Sequence, residues 1–221
     1  MLVSRVATAL GVLLLAAPAC VVLARPLRAP PPDQDAVLLL TGGLPPPMDQ
    51  IARHPWLATR RAGASSWDVW EVGGGGGTDD PLHNPPYVAP ILHKTWTGAR
   101  ARAAIDCIER VAPGVKAQIE RDYFLVPGPN SNTFGDVVLR RCKLAASLPA
   151  SAVGKDFRGW IGAGLTSERT GVQIETALFG VKLGLREGIE LHLLGLTFGL
   201  DLWPPALLLP LGPGRLGFAD R

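Results

Sequence analysis

The sequence predicts an α+β fold, in which a helical layer packs against an antiparallel sheet and a β meander follows at the C-terminal end. Apolar residues recur at intervals of three and four in residues 97–111, which is typical of one face of a helix. They alternate at intervals of two in residues 181–202, which is typical of strands. The 26 glycines and 21 prolines indicate many turns between these elements.

Length and charge narrow the class of protein. The 221 residues, 47% of them hydrophobic, suffice for one domain with a sizeable core. The net charge is 22 − 19 = +3 without a basic stripe, so a nucleic-acid partner is not expected.

The N-terminal residues indicate targeting to a membrane. Residues 6–24 are nineteen residues without a charge, which fits either an uncleaved anchor or a cleaved signal peptide. We expect residues 1–24 to be this segment, residues 25–35 to form a Pro-rich tether, and residues 36–221 to form one α+β domain. The expected location is the cell envelope, with the chain membrane-anchored or exported.

Short apolar runs predict the first strands. Residues 36–41 form one such run, and residues 56–60 and 67–72 read as a hairpin in which Trp67, Val69 and Glu71 face one way. The five glycines at 73–77 predict a flexible loop. No helix start follows them, so they do not fit a phosphate-binding loop.

Three helices are predicted. The stripe in residues 97–111 gives the first, residues 115–123 a second, and residues 132–141 a third, which is entered through a Pro-Gly-Pro turn.

The meander is predicted from residues 181–202, with turns at 186–188 and 195. Many of its remaining residues are also apolar, so we expect the sheet to be covered on both faces; a membrane-associated face is the alternative. His192 lies within this alternation, and we expect it on the surface or in the core and not in a site.

No cofactor or metal site is expected. The chain has no C-x-x-C, and His83 and His93 lie in a Pro-rich stretch. The isolated positions of Cys107 and Cys142 favour their interpretation as two separate buried side chains. The alternative is a disulfide, which an exported chain can form. Lys155 and Asp156 are adjacent and predict either a local ion pair or an anchor for a loop.

The segment around Ser131 is the main candidate site. Asn130, Ser131, Asn132 and Thr133 follow a rigid turn and open a predicted helix. Such residues are typical helix caps. A nucleophile at this position would also gain from the free N–H groups of the helix start.

The motifs resemble a bacterial family, domain of unknown function 3750. Its members share a membrane-targeting start, an early His-x-Trp, a PGPNSNTF motif, a Gly-Lys-Asp and a Gly-rich end. This chain has His54-Pro55-Trp56, the eight-residue motif at 127–134, Gly154-Lys155-Asp156, and the sequences EGIE at 187–190 and GRLG at 214–217. The resemblance names a family without naming a reaction.

A second resemblance is to circularly permuted papain-like proteins, among them the lecithin:retinol acyltransferase type and the PPPDE peptidases. These place a His at the start of an early strand and a later Asn-Cys-x-x-Phe at a helix start. His54 and the run from Asn130 to Phe134 match that order, with Ser131 in place of the thiol. The resemblance implies a catalytic set of His54 and Ser131, with Glu71 or Asp68 as the orienting carboxylate.

Two functions are therefore compared. The first is a non-catalytic or degenerate papain-like envelope domain that binds an envelope protein or a lipid or peptide ligand, with Asn130, Asn132, Thr133 and Trp56 as binding residues. The alternative is a serine-dependent hydrolase or acyltransferase that uses Ser131 and His54. In both, the membrane is a partner through the N-terminal segment.

Overall fold

The computed structural model describes residues 27–212 and 214–218, which form two antiparallel sheets and two α-helices. The predicted α+β class is confirmed. The predicted membrane segment, residues 1–24, lies outside the described residues. Within the described ranges, no helix is both long and apolar enough to cross a membrane.

Sheet 1 has five strands in the order β4-β3-β2-β1-β5. Their bounds are β1 Ala36–Gly43, β2 Arg53–Arg60, β3 Trp67–Trp70, β4 Gly76–Thr78 and β5 Val88–Thr97. The predicted first strand and hairpin are confirmed, since Leu57 of β2 lies opposite Trp70 of β3. β4 contradicts the expectation of a loop throughout residues 73–77, because its glycines pair with β3.

Helix α1, Gly98–Arg121, packs on one face of sheet 1. The predicted stripe is present and continues through Ala112, Val115 and Ile119 into a core shared with Leu39 of β1. The prediction of a separate helix from residue 115 is therefore wrong. The helix runs through Pro113 because the continued stripe keeps its packing surface, which offsets the backbone hydrogen bond that proline removes.

Helix α2, Ser131–Arg141, joins the same core through Phe134, Val138 and Leu139. Cys142, which follows it, forms a disulfide with Cys107 of α1. The interpretation of these cysteines as separate buried side chains is wrong. The two helices already pack together, which brings the thiols within bonding reach.

Sheet 1 has a core on each face. Leu39 and Leu57 point toward the helices, and we call this side the helix face. Leu40, Trp56 and Trp67 belong to a second cluster on the opposite side, which Leu82 and Tyr87 cover. We call that side the far face.

Sheet 2 contains the C-terminal strands in the order β12-β11-β10-β9-β8-β7-β6. The bounds are β6 Ile161–Leu165, β7 Gly171–Thr176, β8 Phe179–Gly184, β9 Gly188–Leu193, β10 Leu196–Leu202, β11 Pro205–Leu208 and β12 Arg215–Gly217. All neighbouring pairs are antiparallel. The predicted meander is confirmed, and two strands on each side extend it.

Candidate functional site

His54 and Glu71, two of the three predicted catalytic residues, meet on the far face of sheet 1. His54 lies on β2, and Glu71 follows the end of β3 by one residue. Strand alternation directs Glu71 to the same side as Trp67 and Val69. The His54 Nε2 atom lies 2.8 Å from Glu71 Oε2, and both side chains are buried.

The surroundings of this pair are crowded. Asn84 Nδ2 donates a hydrogen bond of 2.9 Å to Glu71 Oε2. The Tyr87 ring stacks on the His54 ring with 4.0 Å between centroids, and burial raises the pKa of Tyr87 to about 12. A Cβ atom at Gly74 would lie 2.2 Å from Glu71 Oε1. The glycine run therefore lets the backbone approach the carboxylate closely.

Trp56, a predicted binding residue, also points to the far face. Its ring is buried, and its Nε1 atom donates to the Pro81 carbonyl oxygen at 3.1 Å. In the described chain this contact holds residues 79–87 over the far-face core.

Ser131 is the first residue of α2, and α2 packs on the helix face. A Cβ atom at Gly135 would lie 3.2 Å from Pro55 Cγ, which marks the contact between α2 and β2. Pro55 and its neighbour His54 project from opposite faces of the strand. Sheet 1 thus lies between the His54 side chain and α2, and no hydrogen bond joins Ser131 to His54 in the described chain.

Asn130 is the cap of α2. Its Oδ1 atom accepts hydrogen bonds from the backbone N–H groups of Asn132 and Thr133 at 2.9 and 3.1 Å. The Thr133 hydroxyl accepts in return from the Asn130 N–H at 3.1 Å. This reciprocal arrangement satisfies N–H groups that would otherwise lack partners at the helix start.

The same side chains fasten a second motif to α2. Asn130 Nδ2 and Asn132 Nδ2 donate to the Val153 carbonyl at 3.0 and 2.7 Å, and the Thr133 hydroxyl donates to the Gly154 carbonyl at 2.7 Å. The predicted binding residues Asn130, Asn132 and Thr133 therefore use their side chains inside the protein. They join the PGPNSNTF motif to the Gly-Lys-Asp motif.

Gly154 and Gly195 make this joint compact. Gly154 has φ +81°, and a Cβ atom there would lie 2.3 Å from Asn130 Nδ2. Its N–H donates to the Gly195 carbonyl at 2.8 Å, at the turn between β9 and β10. This joint between residues 130–133 and residues 153–154 therefore fixes Lys155 and Asp156 against the buried side of sheet 2. We call that side the inner face.

A charged network fills the space under sheet 2. Its members are buried ionisable side chains with partners of opposite charge: Lys155, Asp156, Glu175, Lys182, Glu190 and His192. Lys182 Nζ lies 2.6 Å from Asp156 Oδ1 and 3.0 Å from Glu190 Oε2. Lys155 lies 2.9 Å from Glu190 and also contacts Asp156, which confirms the predicted local ion pair.

His192 lies among three carboxylates. Its Nε2 atom is 3.2 Å from Asp156 and 3.1 Å from Glu190, and its Nδ1 atom contacts Glu175. Burial lowers the pKa of His192, but Asp156 and the hydrogen bonds that the ring donates to Glu175 and Glu190 raise it above its ordinary value. Lys155 and Lys182 lower the pKa of Glu190 to about 2, again against burial.

Three of these side chains have the spacing of metal ligands. Single ligand atoms of Asp156, Glu190 and His192 lie within 4.8 Å of one another. The ammonium groups of Lys155 and Lys182 already supply positive charge to both carboxylates. The adjoining cavity measures about 10 Å³, roughly the space of one water molecule. The donor set is therefore a closed ionic network.

The outer face of sheet 2 is apolar and exposed. By strand alternation, the side chains opposite the charged network point away from the protein. The exposed apolar residues on these outward positions are Ile161, Leu165, Val172, Ile174, Phe179, Leu183, Ile189, Leu191, Leu193, Phe198, Leu200, Leu202, Leu207 and Leu216. We call this set the outer face.

Strand register makes the outer face continuous. Leu183 lies opposite Ile189, Ile189 opposite Leu200, and Leu200 opposite Leu207. Among the described outward positions of β7 to β11, none holds a charged residue. The expectation that the sheet is covered on both faces is wrong, because the charges of the inner face bind residues 155–156 and nothing in the described chain covers the leucines.

The match to a protein-family model covers most of sheet 1, both helices and the Gly154 contact with α2. A model of the protein family of unknown function DUF3750 matches residues 41–157. The chain belongs to the DUF3750 family. The match includes His54, Glu71 and the motif around Ser131, and it ends before sheet 2. The EGIE and GRLG sequences therefore lie outside the matched range.

No curated protein and no solved structure matches this member of the DUF3750 family.

Proposed function

We propose that this DUF3750 protein is a non-catalytic domain of the cell envelope that binds an apolar ligand or partner through the outer face of sheet 2. The observation that carries the proposal is the outer face itself. Each of its fourteen apolar side chains is at least 41% exposed, whereas soluble monomers rarely expose contiguous apolar patches larger than a few hundred Å². Contact between this much apolar surface and water has a large unfavourable free energy, which a bound apolar partner would remove.

The charged network supports the outward orientation of this surface. Asp156, Glu190 and His192 each have partners of opposite charge under the sheet. Turning the leucines inward would expose them to these charges and would leave buried ions without partners, which is strongly unfavourable. The apolar face is thus held outward by electrostatics.

The disulfide supports a location outside the cytoplasm. Cys107 and Cys142 join α1 to α2, and structural disulfides persist in oxidising compartments. The uncharged residues 6–24 are consistent with export or anchoring.

Cysteine labelling tests this proposal in the full chain. In a Cys20→Ser background, Leu191→Cys places a thiol on the outer face, and Ser66→Cys places one in the exposed turn between β2 and β3. We expect a membrane-impermeant maleimide to modify Leu191→Cys slowly in isolated envelopes and rapidly once the chain is unfolded in urea. Ser66→Cys should react equally in both. Equal rates for the two positions in envelopes would contradict the proposal.

The alternative is a serine hydrolase or acyltransferase that uses Ser131, His54 and Glu71. The buried His54–Glu71 hydrogen bond is like the base–acid pair of a catalytic triad, but sheet 1 lies between His54 and Ser131, so the geometry does not favour this alternative. The alternative predicts that a fluorophosphonate probe labels the full chain and that Ser131→Ala abolishes labelling without loss of folding. Absence of labelling in the unaltered protein would exclude this serine chemistry.

A further inference from the structure

We infer that the partner of the outer face is a lipid surface, on which sheet 2 lies with its leucines against the acyl chains. This inference rests on the proposed function and names the chemistry of the partner. It is carried by four features: the composition of the face, the residues at its ends, a neighbouring apolar loop, and the position of the tether.

The composition favours lipid over protein. Interfaces between proteins contain about one hydrogen bond per 100–200 Å² and a polar rim. The outward positions of β7 to β11 are almost entirely hydrocarbon side chains, such as Leu183, Leu191 and Leu200. Acyl chains need no hydrogen-bonding partner, so this composition is complementary to lipid.

Exposed tryptophans flank the face at its two ends. Trp160 precedes β6 at one end and is 86% exposed, and Trp203 in the turn after β10 at the other end is 77% exposed. Indole rings have an apolar body and one N–H donor, and they concentrate where acyl chains meet water.

A neighbouring loop extends the apolar surface. Phe124 and Leu125 are exposed, and the loop that holds them ends beside sheet 2: a Cβ atom at Gly195 would lie 3.1 Å from Pro127 Cα. Leu178 and Leu194, in turns at this end of the sheet, are exposed as well. These side chains add insertion points along one edge of the outer face.

The tether limits how far the domain can lie from a membrane. Asp35 is fixed to the domain, since its carboxylate accepts from Arg102 Nε at 2.7 Å and from the Ala62 N–H at 2.9 Å. Arg60 Nη2 also donates to the Pro30 and Pro31 carbonyls at 2.7 Å, so only residues 25–29 can extend from the domain, over at most about 18 Å. Insertion of the uncharged residues 6–24 in a bilayer would hold the N-terminal end of the domain within that distance of lipid and raise the effective concentration of the outer face there.

Quenching by brominated lipids tests the inference in the full chain. The protein is reconstituted into phosphatidylcholine vesicles with and without bromine on the acyl chains, and tryptophan fluorescence is measured. Trp56, Trp67 and Trp96 are buried and serve as the unquenched background. We expect bromolipid to quench part of the emission and Trp160→Phe/Trp203→Phe to remove most of that effect.

Charge on the outer face should release it from lipid. In Leu191→Lys/Leu200→Lys, we expect the lipid-bound population of sheet 2 to fall at least about tenfold, because a lysine among acyl chains is costly. Ser66→Lys adds a charge in the exposed β2–β3 turn and should leave quenching unchanged. Leu191→Ser/Leu200→Ser is the second variant, to be used if the lysine variant loses its thermal transition.

The outcomes separate this inference from the proposed function. Quenching that depends on Leu191 and Leu200 supports the lipid partner. Absence of quenching, together with a cross-linked dimer that the lysine variant loses, overturns the lipid partner and assigns the face to a second copy. Absence of quenching with a monomer and a freely reactive Leu191→Cys overturns both proposals.

Discussion

Sheet 1 buries apolar side chains on both of its faces, whereas sheet 2 buries charged side chains and leaves most of its apolar ones exposed. Leu39 and Leu40 of β1 lie in cores on opposite sides of one strand. In β9, Glu190 and His192 are buried while Leu191 between them is exposed. The hydrophobic effect thus organises the first region from within, and ion pairs organise the inner side of the second.

The contrast shows why exposure cannot be inferred from hydropathy alone. An apolar side chain is buried when some other element covers it. α1 and α2 supply apolar side chains to sheet 1, while residues 155–156 bring one cation and one anion to sheet 2. The helix face of sheet 1 and the inner face of sheet 2 therefore each match the chemistry of the segment that covers them.

The largest predicted effect concerns the charged network. Lys182→Ala removes a cation that pairs with Asp156 and Glu190. Leaving buried carboxylates without that partner should lower the free energy of unfolding by about 3–5 kcal/mol. Urea denaturation followed by circular dichroism measures this loss. A change below about 1 kcal/mol would show that the network is not electrostatically important, in conflict with the cost of unpaired buried charge.

A second prediction compares equivalent truncations in the two regions. Phe134→Ala empties part of the core under sheet 1 and should cost about 3–5 kcal/mol. Leu191→Ala removes an exposed side chain from sheet 2 and should change the stability of the protein in detergent by less than about 0.5 kcal/mol. Similar losses of stability at both positions would contradict an arrangement in which Leu191 of sheet 2 is exposed and uncovered.

The disulfide gives a third prediction, within the first region. Cys107 and Cys142 are 35 residues apart, so the paired change to serine should lower the free energy of unfolding by about 2–4 kcal/mol. Reduction of the unaltered protein should have a similar effect on its thermal midpoint. Dithiothreitol should not affect the serine variant, which serves as the control.

Acid should destabilise the charged network under sheet 2. The pKa of Glu190 falls from 4.5 to about 2 on folding, so its stabilising effect is present above pH 4.5 and is lost as pH falls toward 2. The pKa of His192 is raised above 6.5, so its contribution is present below pH 6.5 and is lost as pH rises through the raised value. Thermal midpoints of the unaltered chain and of Glu190→Gln, measured between pH 2 and 7, should differ in slope.

The smallest predicted effect separates capping from chemistry at α2. Asn130→Ala removes the cap and the bond to Val153 and should cost about 0.5–2 kcal/mol. Ser131→Ala should change stability by less than about 0.5 kcal/mol, since Asn130 and not Ser131 caps the helix. A larger loss for Ser131→Ala than for Asn130→Ala would contradict this assignment.

Local patterns predicted much of the first region. The alternation in residues 67–72 placed Glu71 on one side of β3 with Trp67, and the structure finds His54 on that side. β5 was not predicted, because Pro86 and Pro90 interrupt the segment and its pairing with β1 shifts register twice. The continuation of α1 through Pro113 depended on a core that the local sequence does not contain.

The hydrogen bonds that join the start of α2 to residues 153–154 could not be predicted from the local sequence, for a similar reason. The types of residue at Asn130 and Thr133 indicated a cap, which the structure has. Their bonds to the Val153 and Gly154 carbonyls connect positions more than twenty residues apart, and no periodicity encodes such pairs.

By itself, the sequence determined that the C-terminal segment forms a meander in which apolar residues recur at every second position, because side chains alternate along a strand with a period of two. It did not determine which side would be covered. That was decided by the tertiary structure, which places Lys155 and Asp156 against Lys182, Glu190 and His192. Buried charges need partners in fixed positions, and only the folded chain brings those partners together.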